Sequence, residues 1–206
     1  IDPSSTQKFN LASNNLEVFK FFNILWNLHL LVLEEKKLSK PKFSKVEDKW
    51  ILSRTNTVLK NLYSAYDSFR LHKGTRELYN FVVDDLSRTY VQMTRERMSY
   101  DKEPLTVLNF ILLRIVRALC SVSPFITEKI YQNLNKLNKL KESVHHDSLP
   151  RIKKSNKKLE EDFSLASEII ASGLACRDKA KIGVRWPLKE LIIDSKSLKK
   201  LEPLIK

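Results

Sequence analysis

Glycine occurs only three times in this chain, at positions 74, 173 and 183. Tight hairpins draw on glycine for positive φ, so a chain this poor in it makes few of them and resolves into long helices. The expected class is mainly α: an antiparallel helix bundle followed by a short, truncated α/β segment.

Apolar spacing places the helices. Leu16, Phe19, Phe22 or Asn23, Leu25 or Trp26, Leu30 and Leu33 recur at helical steps and predict a first helix over 13–36, capped by Ser13. Pro41 breaks the pattern, and a second helix is expected from 46–48 onward, with Trp50, Ile51, Val58, Leu62, Tyr66 and Phe69 as its stripe. A third is expected over 73–99, with Leu78, Phe81, Val82, Leu86, Thr89, Tyr90 and Met93 inward and Asp84, Arg88, Val91 and Arg95 outward. Asp101 and Pro104 start a fourth helix, and Pro124 restarts the pattern to about residue 135.

Residues 136–158 lose periodicity and gain lysines. The helical pattern returns over 159–180 and stops before Gly183. VRWPLKELIID (184–194) reads as a short strand and SLKKLEPLIK (197–206) as the start of another helix. The expected organisation is a bundle over 1–140, a basic loop or hinge over 141–158, and a long helix with a partial α/β segment over 159–206.

Lysine and arginine number 37 against 24 acidic residues, a net charge of +13, which favours an anionic partner. Nucleic acid and an acidic membrane surface lead that class. The longest apolar run, FFNILWNLHLLVL (21–33), is interrupted by Asn23, Asn27 and His29 and is shorter than the roughly 20 residues of a membrane span, so no membrane is expected. Cys120 and Cys176 stand far apart and read as buried thiols of a reducing, cytoplasmic compartment. The chain shows no signal peptide and no initiator methionine, which suggests part of a longer polypeptide.

Catalytic signatures are missing. His145 and His146 have no further ligands at a helical spacing, HHDS lies along a loop rather than on a rigid scaffold, and the adjacent acids Asp84–Asp85 and Glu160–Glu161 point apart. Neither a Walker sequence nor GxGxxG occurs. What remains is a basic helical surface with aromatics nearby, suited to an RNA backbone and a few unpaired bases. Trp26, Tyr63, Tyr66 and Tyr90 read as core, whereas Trp186, following Arg185 in a turn, reads as exposed.

The string DKWILSRTNTVLKNLYSAYDSFRLHKGTRELYNFVVDDLSRTYVQMTRERM (48–98) resembles the helical anticodon-binding domain of class I aminoacyl-tRNA synthetases of the isoleucine, valine and leucine group. SPFITEKIYQNL (123–134) and ESVHHDSLP (142–150) are similar to that family's next segments, and GLACRDKAKIGVRWPLKELII (173–193) to the segment that sets its isoleucyl members apart. The resemblance covers about residues 9–193. Thr89 stands where the family carries Trp and Gln92 where it carries Arg; Arg95 and Arg97 match family arginines, with Thr94 in place of Ser.

The resemblance implies a tRNA-binding portion of an isoleucine–tRNA ligase that positions the anticodon stem-loop. Its catalytic domain, with the His-Ile-Gly-His and Lys-Met-Ser-Lys-Ser signatures that use ATP and magnesium, is absent from this chain. No catalytic residue, metal or cofactor is therefore expected here. The expected partners are tRNA and the remaining domains of the same polypeptide. The expected tRNA contacts are Arg95, Arg97, Arg88, Gln92, Lys153, Lys154, Arg185 and Trp186. The alternatives are the equivalent domain of a valine–tRNA ligase or a free-standing helical RNA-binding module.

Overall fold

The computed structural model describes residues 11–190, with side chains from residue 16 onward. The described residues fall into two compact units that meet in sequence between residues 155 and 156. The first is a helix bundle of α1 (Leu11–Leu33), α2 (Val46–Asp67), α3 (Leu71–Asn80), a π-helical stretch (Phe81–Val91), α4 (Gln92–Thr94), a 3-10 turn (Arg97–Ser99), α5 (Glu103–Leu119) and α6 (Pro124–Asn135). The second contains α7 (Lys157–Lys179).

Short corners join α2 to α3 and α5 to α6, and the two helices of each pair pack against one another. The start signals read from the sequence hold at α5, where Asp101 Oδ1 accepts from the Glu103 amide at 2.9 Å and Pro104 sits in the first turn. Helix α5 is the central element: Leu108, Ile111, Leu112, Ile115 and Val116 are fully buried. It packs against α1, α2 and α6.

Helix α1 begins before Ser13, so Ser13 lies inside it rather than capping it. Its buried face is Phe21, Leu25, Leu28, His29 and Val32, whereas Leu16 and Phe19, expected inward, are 68% and 67% exposed. Of the expected stripe Leu25 is buried, and Leu16, Phe19 and Leu30 are exposed, because apolar residues occur on both sides of this helix. Residues Leu16–Leu33 are long and apolar enough to cross a membrane by length and composition. Here the helix packs against α5, α6 and the π-helical stretch.

The expected third helix is not one α-helix. Its middle eleven residues are π-helical, and the Thr89 hydroxyl donates to the Asp84 carbonyl, five residues back, at 2.8 Å. The wider turn shifts the phase of everything after it. Tyr90 is buried as expected, Thr94 and Arg97 also face inward, and Met93, expected in the core, is 47% exposed. Phe69, expected on the α2 stripe, lies past the helix end with φ 55° and is exposed.

Residues 141–155 belong to the first unit. They are laid onto the bundle by Glu128, which accepts from the Ser143 hydroxyl and Val144 amide, and by Asp147, which accepts from Arg117 and from Tyr131.

In the second unit, Phe163 and Ala166 are the buried residues of α7. Cys176 is exposed and Cys120 half-buried, so neither is the fully buried thiol expected. The expected strand at 184–194 does not form over 184–190, which is turn and irregular backbone; its last residues, and the helix expected over 197–206, lie outside the described residues.

Candidate nucleic-acid interface

Arg88, Gln92 and Arg95 lie on one exposed side of the helical segment after residue 80, at successive turns. Arg88 is held by Asp84 in an exposed pair at 2.8 Å, which neutralises much of its charge. The Arg95 side chain makes no ion pair among the described residues and is the least encumbered cation of this face. Lys153 and Lys154 are exposed on the irregular segment between Pro150 and Asn156. Its course is set by two anchors on α2: the Lys153 amide donates to Asn56 Oδ1 at 3.3 Å, and the Tyr63 hydroxyl to the Pro150 carbonyl at 3.3 Å.

Arg97 does not belong to this surface. It is 8% exposed, and its guanidinium donates to Glu47 and, at 2.5 Å, to Asp48 Oδ1. Asp48, completely buried, also accepts from the Tyr90 hydroxyl at 2.8 Å, and its other oxygen takes the Lys45 amide at 3.3 Å at the start of α2. Burial, and then the Asp48 carboxylate, push the Tyr90 phenol far above its usual pKa, so it stays a donor. Arg97 lies close to the apolar stripe, seven residues after Tyr90, and in place of the expected phosphate contact it makes a structural ion pair with Asp48 and Glu47.

In the second unit Arg185 and Trp186 are exposed, Trp186 at 71%, as expected of a turn. Arg177 organises that turn: its Nη2 donates to the carbonyls of Gly183, Val184 and Trp186 at 2.5, 3.0 and 2.6 Å. An indole so presented offers a flat face for a base, and Arg185 a charge beside it.

Spacing gave no sign of Asn56 or Arg114, which lie inside strongly patterned helices and are nevertheless buried polar groups. Asp48 stood in a conspicuous string, but its role depends on residues more than 40 positions away. Among the described residues no three metal-ligating side chains come together. His145 and His146 are exposed, and Asp147 is occupied by Arg117 and Tyr131.

A family model described as the anticodon-binding domain of tRNA ligase matches residues 48–193. Curated relatives include the isoleucine–tRNA ligase of Pyrococcus abyssi, 36% identical over 196 residues that make up 87% of this chain and 18% of the relative. That of Sulfolobus acidocaldarius is 34% identical over 208 residues, covering 89% of this chain and 20% of the relative. That of Methanopyrus kandleri is 30% identical over 207 residues, covering 91% and 19%. The chain spans about a fifth of the length of these relatives.

Proposed function

Because the chain belongs to the family of anticodon-binding domains of tRNA ligases, we propose that it is the tRNA-binding part of an isoleucine–tRNA ligase acting in the cytoplasm. It grips the anticodon stem-loop and so places the acceptor end in a catalytic domain elsewhere in the polypeptide. That domain supplies the ATP- and magnesium-dependent aminoacylation. This chain's part is binding and orientation, as the match to an anticodon-binding domain supports.

The observation that carries this reading is the coincidence, within the matched residues 48–193, of the family match with exposed cations at 88, 95, 153, 154 and 185. Arginine and lysine neutralise backbone phosphates and fix register, while aromatic faces such as Trp186 accept unstacked bases at roughly 1–3 kcal/mol each. Binding driven by phosphates weakens steeply with salt.

Filter binding of the chain to isoleucine and valine tRNA transcripts across a KCl series tests this. The expected result is preferential binding of the isoleucine tRNA with a steep salt dependence. Tighter binding of the valine tRNA moves the assignment to the valyl enzyme, and indifference to both overturns it in favour of a free-standing RNA-binding or scaffold module.

A further inference from the structure

Arg114 is a buried cation with no counter-ion. It projects from α5 with 7% of its surface exposed. Its Nη2 donates to Asn56 Oδ1 at 2.7 Å, and its guanidinium carbon lies 5.5 Å from the centre of the Phe110 ring. Its Nε is buried without a partner. Among the described residues no carboxylate pairs with it. Arg117, one turn on from Arg114, does have a carboxylate: Asp147 accepts from it and from the Tyr131 hydroxyl, each at 2.7 Å. Burial depresses the Arg114 pKa; Tyr63 opposes this and Arg117 adds to it. A guanidinium nonetheless stays protonated at neutral pH, so the cost of burying its charge is not escaped by discharge.

The surroundings tell which anion this cation lacks. Asn56 Oδ1 accepts from Arg114 and from the Lys153 amide together, so the strap after Pro150 crosses α2 directly beside the guanidinium. The Tyr63–Pro150 bond fixes the strap one step earlier. The strap leaves Arg151, Lys153 and Lys154 exposed. One under-satisfied, fork-shaped donor therefore lies against a segment that is pinned to the bundle and carries three exposed cations. Planar guanidinium donors match phosphate oxygens in geometry as well as charge, and ammonium groups add attraction without directional demand.

We propose that Arg114, together with Arg151, Lys153 and Lys154, forms a binding site for a backbone phosphate of the bound RNA. The nucleic acid supplies the anion that the fold withholds from Arg114, and Asn56 holds guanidinium and strap in register for it. The proposal rests on the reading of tRNA as the partner, and it adds a site on α5 distinct from the Arg88–Arg95 face.

The test is filter binding of the isoleucine tRNA transcript by the full chain across a KCl series, with thermal melting of each variant. Arg114→Met keeps the stem over Phe110 and removes the charge. It is expected to weaken binding several-fold, to reduce the salt slope by about one, and to leave the melting temperature unchanged or raised. The strap variant Lys153→Gln/Lys154→Gln is expected to weaken binding several-fold and to reduce the slope by up to about one, the contribution of the shared phosphate, without change in melting. A wild-type slope and affinity for Arg114→Met overturns the proposal, as does a lowered melting temperature with an unchanged slope, which marks Arg114 as structural. If Arg114→Met does not fold, Arg114→Lys and the strap variant decide: a wild-type slope in the strap variant overturns the site. Where Arg95→Ala weakens binding and Arg114→Met does not, this inference alone fails; where the unsubstituted chain binds no tRNA, the functional reading fails with it.

Discussion

The Arg97 guanidinium and the Asp48 carboxylate meet at 2.5 Å inside the bundle, tying the first turn of α2 to the 3-10 turn after α4. Glu47 and Tyr90 complete the cluster, so Asp48 is a fully buried anion whose partners are all supplied by the protein. Breaking such a pair on one side leaves a buried charge uncompensated. Arg97→Ala is expected to cost about 3–5 kcal/mol in urea denaturation. If Arg97→Ala instead lowers only tRNA affinity at unchanged stability, the residue belongs to the RNA surface after all.

Arg95 makes the opposite prediction. Its side chain is exposed and unpaired among the described residues. Arg95→Ala should leave the urea midpoint within experimental error, since surface substitutions away from special features shift stability by less than about 0.5 kcal/mol. It should weaken tRNA binding several-fold and reduce the salt slope by about one. Arg88→Ala should have the smaller effect, because Asp84 already shields that charge.

His29 introduces a pH dependence. It is completely buried in α1, with Nε2 3.2 Å from the Asn133 amide, and burial lowers its pKa below 6.5. The unfolded chain takes up a proton as pH falls through about 6.5, and the native protein does not. This contribution to stability is therefore complete above about pH 6.5 and is lost below it, by at most about 1.4 kcal/mol per pH unit. Urea midpoints at pH 7.5 and 5.5 should differ more for the unsubstituted protein than for His29→Leu. Equal differences would show that His29 is not held neutral.

Gly74, one of the three glycines, is required by packing rather than by backbone conformation. A Cβ there would come within 2.8 Å of Leu62 Cδ1 and 2.9 Å of Ala65 Cβ. Glycine to alanine in a helix ordinarily stabilises by up to about 1 kcal/mol. Here the close approach of α3 to α2 should reverse the sign, and Gly74→Ala is expected to destabilise by about 1–3 kcal/mol in the same assay.

Phe69 is the converse case, a position where glycine is missing. It sits at the end of α2 with φ 55° and 91% exposure, and the Arg70 amide donates to the Ala65 carbonyl at 2.8 Å across it. The left-handed conformation costs a bulky residue roughly 1–2 kcal/mol. Phe69→Gly is therefore expected to raise the melting temperature. A fall would show that the exposed ring contributes contacts that outweigh the strain.

Local rules decided much of this protein. Scarcity of glycine, the prolines at 104 and 124 and the apolar spacing of α2 and α5 are sufficient for a helical bundle with nearly correct boundaries, because helices form from neighbours three and four residues apart. The strings around Asp48, Ser123 and Glu142 were likewise legible as those of a tRNA ligase domain before any coordinate. Tertiary structure alone decided which way individual side chains face. Apolar residues on two sides of α1 leave its buried stripe open until packing against α5 and α6 buries Leu28 and Val32 along with the expected Leu25, and leaves Leu16 and Phe19 exposed. Arg97, seven residues after Tyr90 and so on the apolar side of a 100° period, goes to Asp48 rather than to the surface because Asp48 and Glu47 of α2 lie opposite it. Whether a cation is paired depends on which carboxylate a distant segment brings near it. Arg97 found Asp48 and Arg117 found Asp147; Arg114, within the same fold, found among the described residues no carboxylate but the neutral oxygen of Asn56 and the face of Phe110.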